Sequence, residues 1–425
     1  MPEVKTDLVC TGCSLLCDDI IVEVEDGKIL HTHHICARGY GRHYQVNFKY
    51  RILKPTIKAT RENKEISYEE ALQEIVSLLK NAKNPFFYGW ASATSEAQQK
   101  GIQLAQKYSG LIDSASTFTT GSAVQQFIQK EIKVPKLSFI KDNADVLLFW
   151  GSNPTASHIR LLSKYALLAR GLNTDRGIED RQAITLDIRR TDMSKFCPNF
   201  LIITPGKDKI LLESLIQIIQ GKSFSEESVA NISRKDLYEI AGIIKEAGFG
   251  VVFFGNGFVK TDENMGTLFH FLDILNQKGV KFGAIPLDGG YNSVGFNMNL
   301  KKQVNLELNA DFRKNPPIQN RDLFVTMLKK GKIDLLFVLG SDPISNFPFN
   351  LSKLIAKIPI ITIDFQQTPT TKISKVVIPT TIPGVESDGT AYRLDFEPIT
   401  LKKFLNPPNG IHSDDIILFD LLEMS

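Results

Sequence analysis

The sequence has little of what marks a secreted, membrane or disordered protein. Cysteine is scarce, with 5 Cys in 425 residues, and charge of one sign is lacking because 50 Lys and Arg face 47 Asp and Glu. No apolar run approaches the roughly 20 residues that a membrane span needs. These shortages exclude a disulfide scaffold and give no sign of a nucleic-acid partner. Acidic residues stand where a signal peptide needs an apolar stretch, which predicts a cytoplasmic protein.

Four of the five cysteines are crowded into the first 36 residues, at Cys10, Cys13, Cys17 and Cys36. The first three lie within eight residues, and a loop that carries them can curl around a compact inorganic cluster. Four cysteines, with the last arriving from a separate loop, are typical of a [4Fe–4S] cluster. Zinc is the main alternative, although structural zinc sites usually bring two paired knuckles. Four unrelated buried cysteines are the remaining alternative.

The segment between Cys17 and Cys36 alternates apolar and polar residues and contains Asp26-Gly27. This pattern predicts a small β-hairpin that separates the two cysteines in sequence and returns them to one place. Cys197 stands alone before an apolar strand and is predicted to be a small buried residue. The return strand of the hairpin also carries three histidines, for which an exposed or packed edge is expected more than metal ligation: His31, His33 and His34.

Short apolar strands alternate with amphipathic helical stretches from about Ile66 onward. Examples are the strands Pro85–Trp90 and Asp145–Trp150 and the helix expected over His158–Arg170. Such alternation predicts an α/β protein with mostly parallel sheets flanked by helices. We expect a small cysteine-rich module followed by two related Rossmann-like domains, one inserted in the other. The predicted boundaries are 1–58 for the module, 59–140 with 305–425 for one domain, and 141–304 for the inserted domain.

An internal repeat indicates that the two α/β domains are related. The strand Asp145–Trp150 runs into Gly-Ser-Asn-Pro, and Asp334–Leu339 runs into Gly-Ser-Asp-Pro. Each copy is followed by a strand that ends in aspartate, at Asp187 and Asp364. Such strand ends present bare amides and a hydroxyl at the edge of a sheet where nucleotides bind. The repeat therefore predicts two nucleotide loops facing a common cleft, with a duplicated fold that binds no ligand as the alternative.

Six longer stretches of the sequence resemble one protein family. They are CTGCSLLCDDI at Cys10–Ile20, WGSNPTASHIRLLSKYALLARG at Trp150–Gly171, RGIEDRQAITLDIRRTDMSK at Arg176–Lys195, GYNSVGFN at Gly290–Asn297, PTTKISKVVIP at Pro369–Pro379 and ESDGTAYRLD at Glu386–Asp395. Together with the cysteine spacing, these stretches resemble the B subunit of formylmethanofuran dehydrogenase, in the molybdopterin oxidoreductase superfamily. The resemblance covers nearly the whole chain.

The resemblance implies cofactors, partners and site residues. In that family the subunit carries one [4Fe–4S] cluster and a tungsten or molybdenum ion held by two pterin guanine dinucleotides, and it works with A, C and D subunits. The cysteine quartet would hold the cluster. The residues implied for one dinucleotide are Gly151, Ser152, Asn153, Asp187, Arg189 and Thr191. Those implied for the other are Gly340, Ser341, Asp342, Asp364, Thr370, Gly389 and Thr390.

The sequence departs from the family at the reacting centre. The family has a metal-ligating cysteine or selenocysteine and a histidine where this sequence has Thr119 and Thr120. It has Arg-Gly-His where this sequence has Asp288, Gly289 and Gly290. An unionised hydroxyl is a poor ligand for a soft metal, and aspartate inverts the charge that would hold a formate-like anion. The resemblance therefore implies a largely kept cofactor shell without the family's catalytic residues.

This pattern is similar to the B subunit of the formyltransferase/hydrolase complex of methylotrophs, which performs no redox chemistry. The sequence then predicts a scaffold for A-, C- and D-type subunits that move a formyl group on a methanofuran or methanopterin-type carrier. One alternative is an active tungsten or molybdenum dehydrogenase with Thr119 or an outside group at the metal. A second is an Fe–S electron-transfer subunit that uses the α/β domains only as a scaffold.

Overall fold

The structure is a computed structural model that describes residues 2–47, 50–59, 63–262, 265–320 and 323–424. The chain forms two compact units. The first comprises Met1–Gly121, Gly290–Arg393 and Pro398–Ser425, and the second comprises Ser122–Gly289 with Leu394–Glu397. The second unit thus interrupts the sequence of the first. Across the described ranges, no helix combines the length and apolar character that crossing a membrane requires.

The regular elements follow in chain order. The amino-terminal part of the first unit contains β1 (Glu3–Leu8), β2 (Ile20–Glu25), β3 (Lys28–His33), α1 (Ala37–His43), β4 (Thr56–Lys58), β5 (Asn63–Glu65), α2 (Tyr68–Asn81), β6 (Pro85–Gly89), α3 (Ser95–Lys107) and β7 (Leu111–Ser114). The inserted stretch contains α4 (Gly121–Gln129), α5 (Leu137–Asn143), β8 (Val146–Trp150), α6 (Pro154–Ser157), α7 (Leu161–Lys164), β9 (Gln182–Asp187), β10 (Asn199–Ile202), α8 (Asp208–Ile219), β11 (Ser228–Val229), β12 (Ile232–Ser233), α9 (Arg234–Lys245), β13 (Phe249–Phe254), α10 (Asn256–Val259), α11 (Gly266–Gln277) and β14 (Lys281–Pro286). The first unit resumes with α12 (Ser293–Val304), β15 (Asn309–Asp311), α13 (Leu323–Lys329), β16 (Leu335–Leu339), α14 (Pro343–Asn346), α15 (Phe349–Ile355), β17 (Ile360–Asp364), α16 (Pro369–Ile373), β18 (Val376–Pro379), β19 (Gly389–Tyr392), β20 (Pro398–Leu401) and α17 (Asp414–Glu423).

The amino-terminal sheet contains a hairpin between Cys17 and Cys36. Its three strands are antiparallel in the order β1-β2-β3, and Glu25 pairs with Lys28 across the turn. The two turn residues between them, Asp26 and Gly27, have φ of +51° and +72°. Two left-handed residues form the tight turn whose twist matches that of the flanking strands, and Asp-Gly is a preferred sequence for it.

The sheet of the second unit is parallel throughout, in the order β10-β9-β8-β13-β14. Numbered along the chain within this sheet, the strands run 3-2-1-4-5, the order of doubly wound sheets. The central strand β8 is buried at every residue, which is why it is apolar without alternation. The strand order reverses between β8 and β13, and doubly wound sheets place their ligand crevices at such a reversal.

The larger sheet of the first unit has the order β15-β7-β6-β16-β17-β18-β4-β5. Its five central strands are parallel, and antiparallel strands β15, β4 and β5 lie at the edges. The central order β18-β17-β16-β6-β7 repeats the second unit's order, with β16 in the place of β8 and β6 in the place of β13. Because β6 and β7 come first along the chain, this copy of the repeat is permuted. The mixed α/β architecture with mostly parallel sheets is as predicted.

The aspartate at the start of each repeat connects two neighbouring strands. Asp145 accepts the amides of Gly248 and Phe249 at 2.8 and 3.0 Å, where β13 begins. Asp334 accepts hydrogen bonds from the amides of Lys83 and Asn84, just before β6, at 2.7 and 2.9 Å. Each carboxylate ties the start of the Gly-Ser strand to the start of its neighbour across the reversal point.

The helix predicted over His158–Arg170 is wrong, because only the single turn α7 forms there. The buried guanidinium of Arg181 donates hydrogen bonds to the carbonyl groups of Leu167 and Ala169, which would accept backbone amides in a helix. It also donates to the carbonyl of Lys141 at 2.6 Å and to the hydroxyl of Thr174 at 2.7 Å. A distant arginine thus holds this segment as a loop.

Candidate functional site

The Gly-Ser loop of the second unit lies at its strand-order reversal. Gly151 has φ of +55°, and its amide donates to the carbonyl of Leu186 at 2.8 Å. A methyl group on Gly255, just after β13, would lie 2.4 Å from the Gly151 carbonyl oxygen, and one on Gly151 would lie 2.7 Å from the Phe258 amide nitrogen. The two backbones therefore meet only because both residues are glycine.

The first unit repeats this arrangement. Gly340 has φ of +58°, and its amide donates to the carbonyl of Ile363 at 3.2 Å. Gly89, the last residue of β6, has φ of +120°, and a methyl group there would lie 2.1 Å from the carbonyl oxygen of Leu339. Both glycine pairs leave bare backbone at the carboxyl ends of the strands, where a phosphate can approach closely.

The two strand-end aspartates have the same local geometry. Asp187 accepts the amide of Arg189 at 3.3 Å, and Asp364 accepts that of Gln366 at 3.1 Å. Burial raises the pKa of Asp187, and burial also raises the pKa of Asp364, to about 6, against the lowering by the Gln366 amide. Each carboxylate keeps acceptor capacity for the hydroxyl groups of a ligand.

Asp342 and Thr370 bond to each other. One carboxylate oxygen of Asp342 accepts the hydroxyl of Thr370 at 2.5 Å and its amide at 3.1 Å, while that hydroxyl accepts the amide of Ile344 at 3.2 Å. This clamp ties the loop after β16 to the start of α16. At the matching place in the second unit, Asn153 accepts the hydroxyl of Thr155 at 2.5 Å.

Gly389 and Thr390 lie against the start of α3. A methyl group on Gly389 would lie 2.6 Å from the Thr94 side chain, and the amide of Thr390 donates to Glu96 at 2.9 Å. The same connection between β6 and α3 approaches Gly340, because a methyl group there would lie 3.1 Å from the carbonyl oxygen of Ser92. The structure therefore brings these three predicted residues to one loop of the first unit.

The other predicted dinucleotide residues differ in burial and in hydrogen bonding. The Ser152 hydroxyl donates to the carbonyl of Phe253 at 3.3 Å. The Thr191 hydroxyl is buried and has no hydrogen-bond partner among the described residues. Arg189 is exposed and Ser341 is half-buried. Their contact with a ligand remains a prediction.

The cysteine loop is folded back on itself. Cys10, Cys13 and Cys17 are buried, Cys36 is partly exposed, and none forms a disulfide. The amide of Cys10 donates to the Cys17 carbonyl at 2.9 Å, and that of Gly12 donates to the Cys10 sulfur at 3.3 Å. Burial raises the pKa of the Cys10 thiol; the Gly12 amide opposes this, and the other three thiols raise the pKa further. The other three thiols thus lie close enough to Cys10 to affect its pKa.

Helix α1 packs directly on this loop and brings Cys36 to it. A methyl group on Gly39 would lie 2.5 Å from the Cys10 sulfur, so α1 approaches Cys10 through a residue without a side chain. In the described ranges, no three His, Cys, Asp or Glu side chains form a group that could hold a metal ion.

The histidine stretch lies at the exposed surface of the hairpin. His33 contacts Glu23 at 3.2 Å, and His34 bonds the carbonyl of Asp19 at 3.0 Å. His31 is also exposed. Cys197 is buried, with 1% of its surface accessible, as predicted.

The turn at Thr119 and Thr120 contacts the helix of the GFN stretch. The Thr119 hydroxyl donates to the carbonyl of Ser116 at 3.0 Å, and the Thr120 side chain is fully buried. Asn297 of α12 donates to the carbonyl of Gly121 at 3.4 Å. The structure therefore brings the two threonine positions next to the stretch that follows Gly290.

Gly290 has no room for a side chain. A methyl group there would lie 2.4 Å from the carbonyl oxygen of Ala91 and 2.5 Å from the Ala91 Cβ. Asp288 is fully buried, and its carboxylate accepts the amide of Gly289 at 2.8 Å. A histidine at position 290 would therefore require this backbone to move.

Sequence reasoning missed Asp113 as a titratable group. Asp113 is the next-to-last residue of strand β7, is fully buried and accepts a hydrogen bond from the hydroxyl of Thr117 at 2.7 Å. Burial raises its pKa to about 7, against the lowering by Thr117 and Asn309. The pKa is raised because the folded chain buries this carboxyl group, and no sequence pattern predicts that burial.

The raised pKa of Asp113 predicts a pH-dependent stability. The unfolded carboxyl ionises near pH 4, whereas the folded one stays protonated to about pH 7, so stability is full below pH 4 and falls as pH rises to 7. Asp113→Asn should remove this slope, which is worth at most roughly 4 kcal/mol. Chemical denaturation at pH 5 and pH 8 measures it. Equal slopes in wild type and variant would contradict the burial of this carboxyl.

The chain is similar to known proteins over most of its length. The family model "Molybdopterin oxidoreductase" matches residues 51–424. The B subunit of the tungsten-containing formylmethanofuran dehydrogenase 2 of Methanocaldococcus jannaschii is 34% identical over 430 residues, which cover 100% of this chain and 99% of that protein.

Two solved structures share the fold. One is the X-ray crystal structure of the formyltransferase/hydrolase complex (FhcABCD) from Methylorubrum extorquens in complex with methylofuran, with a TM-score of 0.68 and 16% identity over 87% of this chain and 98% of that chain. The other is acetylene hydratase from Pelobacter acetylenicus, with a TM-score of 0.72 and 14% identity over 99% of this chain and 69% of that one. By its full-length match and its family model, this chain belongs to the molybdopterin oxidoreductases and, among them, to the B subunits of formylmethanofuran dehydrogenase.

Proposed function

We propose that this chain is the B-type subunit of a cytoplasmic formylmethanofuran dehydrogenase-like complex of one-carbon metabolism, and that it scaffolds formyl transfer and hydrolysis without oxidising the formyl group. The observation that carries the proposal is the filled space at Gly290, where Ala91 occupies the volume that the family's histidine side chain would need. Viologen-linked oxidation by the whole complex, run beside its formyl-transfer activity, tests it.

The partners are A-, C- and D-type subunits and a pterin- or furan-linked formyl carrier. Support comes from the full-length likeness to a B subunit and from the fold shared with a chain of the FhcABCD complex. The carrier itself is inferred from the names of these relatives.

The residues present fit one dinucleotide in each unit. Gly151 with Gly255, and Gly340 with Gly89, leave bare backbone at the strand-order reversals. The strand-end aspartates 187 and 364 supply buried acceptors beside them. When bound, a tungsten or molybdenum pterin supplies redox chemistry, and the protein contributes binding and orientation.

The residues at the reacting centre do not fit a redox-active metal. Thr119 offers a neutral hydroxyl that already donates to Ser116, in place of a thiolate. Asp288 would repel the formate or CO2-like anion that an arginine would hold. We therefore derive no oxidation step through this centre and assign these residues to the scaffold.

Cys10, Cys13, Cys17 and Cys36 are proposed to hold one [4Fe–4S] cluster. Protein purified without oxygen should contain about four irons and four sulfides per chain, the stoichiometry of a cubane with four cysteine ligands. Cys17→Ser should lower the iron content and the cluster absorbance, because the hydroxyl is a harder ligand than the thiolate.

Cys197→Ser is the matched control, since Cys197 is equally buried and lies outside the quartet. It should retain full iron. Zinc without iron in the anaerobic preparation, or equal iron loss in both variants, would refute the cluster.

The two alternatives make different predictions for the same complex. An active dehydrogenase would oxidise formate or the formyl carrier, with Thr119 or an outside group at the metal. An electron-transfer subunit would keep the iron–sulfur cluster but bind no dinucleotide, so pterin analysis of the purified complex separates it from the other two.

A further inference from the structure

Arg42 has a buried hydrogen-bond donor, Nε, without a partner among the described residues. It lies near the end of α1, where its guanidinium carbon is 4.4 Å from the centre of the Phe365 ring and 5.8 Å from that of Tyr291. Within the described part of the chain no carboxylate lies at ion-pair distance from Arg42, although its charge opposes the effect of burial on the pKa of Asp364, Glu386 and Asp414. The neighbouring cation Arg51 pairs with Glu386 at 2.5 Å.

A second unpartnered donor lies beside Arg42. Tyr291 is 2% exposed, and its hydroxyl has no partner among the described residues. Burial raises the pKa of this hydroxyl, which therefore stays a donor. Buried donors without acceptors are rare in native proteins, and a ligand, an ion or an ordered water usually explains them.

The Asp364 carboxylate is near Arg42. It directly precedes Phe365, on whose ring Arg42 stacks, and the charge of Arg42 lowers its pKa against the larger effect of burial. A strand-end aspartate of this kind accepts hydrogen bonds from ribose hydroxyls. A stacked guanidinium presents a rigid planar fork that matches a phosphate. In a nucleotide the ribose and the phosphate are covalent neighbours.

We propose that Arg42 and the Tyr291 hydroxyl bind the phosphate of the nucleotide whose ribose meets Asp364. The inference rests on the proposed dinucleotide site of the first unit and adds its phosphate-binding residues. It assigns the anion to α1 and to the residue that follows Gly290, rather than to the Gly340 loop alone.

Equilibrium binding to the full chain tests this assignment, with GDP, guanosine and inorganic phosphate as probes. Wild type should bind GDP more tightly than guanosine or phosphate alone. Arg42→Ala should weaken GDP about ten- to hundredfold at the site of the first unit, as expected for a charge-assisted contact, and leave guanosine and the GDP site of the second unit unchanged. Tyr291→Phe should weaken GDP about two- to tenfold. Arg42→Lys should fall between wild type and Arg42→Ala.

The controls separate the two proposals. Arg190→Ala removes an exposed arginine of the second unit and should change nothing. Asp364→Asn should weaken both GDP and guanosine. If Asp364→Asn weakens both while Arg42→Ala binds like wild type, the nucleotide site stands and the phosphate assignment is overturned. Wild type that binds GDP no better than guanosine also overturns the assignment, while pterin analysis of the complex judges the dinucleotide site separately.

Discussion

A complex purified with this chain should transfer formyl groups but reduce no viologen dye with formate or a formyl carrier. Oxidation needs a soft metal ligand, a proton acceptor and a cation for the substrate. The corresponding positions hold Thr119, Thr120, Asp288 and Gly290. The loss of one such group costs about 10²–10⁴ in rate, so the combined loss should bring oxidation to the assay background. The two activities are measured on the same preparation, beside a tungsten-containing relative as the positive control.

Single reversions should not restore oxidation. Thr119→Cys would supply a thiolate, but the proton acceptor and the cation would still be absent. Gly290→His would meet Ala91 and should lower stability rather than raise activity. Thr119→Ala should leave formyl transfer unchanged. Robust oxidation that disappears in Thr119→Ala would make Thr119 a metal ligand and support the active-dehydrogenase alternative.

Gly255→Ala should destabilise the second unit by roughly 1–3 kcal/mol and disrupt its nucleotide loop. The added methyl group would lie 2.4 Å from the Gly151 carbonyl oxygen and 3.0 Å from the Ser152 Cβ. Since both contacts belong to the Gly-Ser loop, relief requires that loop to move away from β13. A thermal melt should show a shift of roughly 2–4 °C for each kcal/mol lost.

Gly242→Ala is the matched control in the same unit. Gly242 lies in helix α9, and a methyl group there meets no atom within 4 Å. Alanine is a better helix former than glycine, so this variant should melt at or slightly above wild type. Equal melting of Gly255→Ala and wild type would show that the glycine pair is not required for close packing.

The internal repeat predicted more of the fold than composition did. Asp145 and Asp334 stand in register because each anchors the neighbouring strand, and the Gly-Ser pairs follow because only glycine permits the backbone contact at the reversal. The hairpin turn at Asp26-Gly27 was predictable for the same reason, since its left-handed conformation is local. The turn depends only on adjacent residues, and the aspartates and glycines depend on one neighbouring strand that has the same place in both units.

The sequence by itself determined the α/β class and the cysteine spacing, and it predicted the positions at which this chain departs from its family. Only the tertiary structure decided that α1 lies against Cys10, that Arg42 lies over the rings of Phe365 and Tyr291, and that Arg181 turns a predicted helix into a loop. It alone also decided that Gly290 has no free volume. Each of these outcomes depends on residues that are distant in sequence and adjacent only after folding, so no local pattern encodes them.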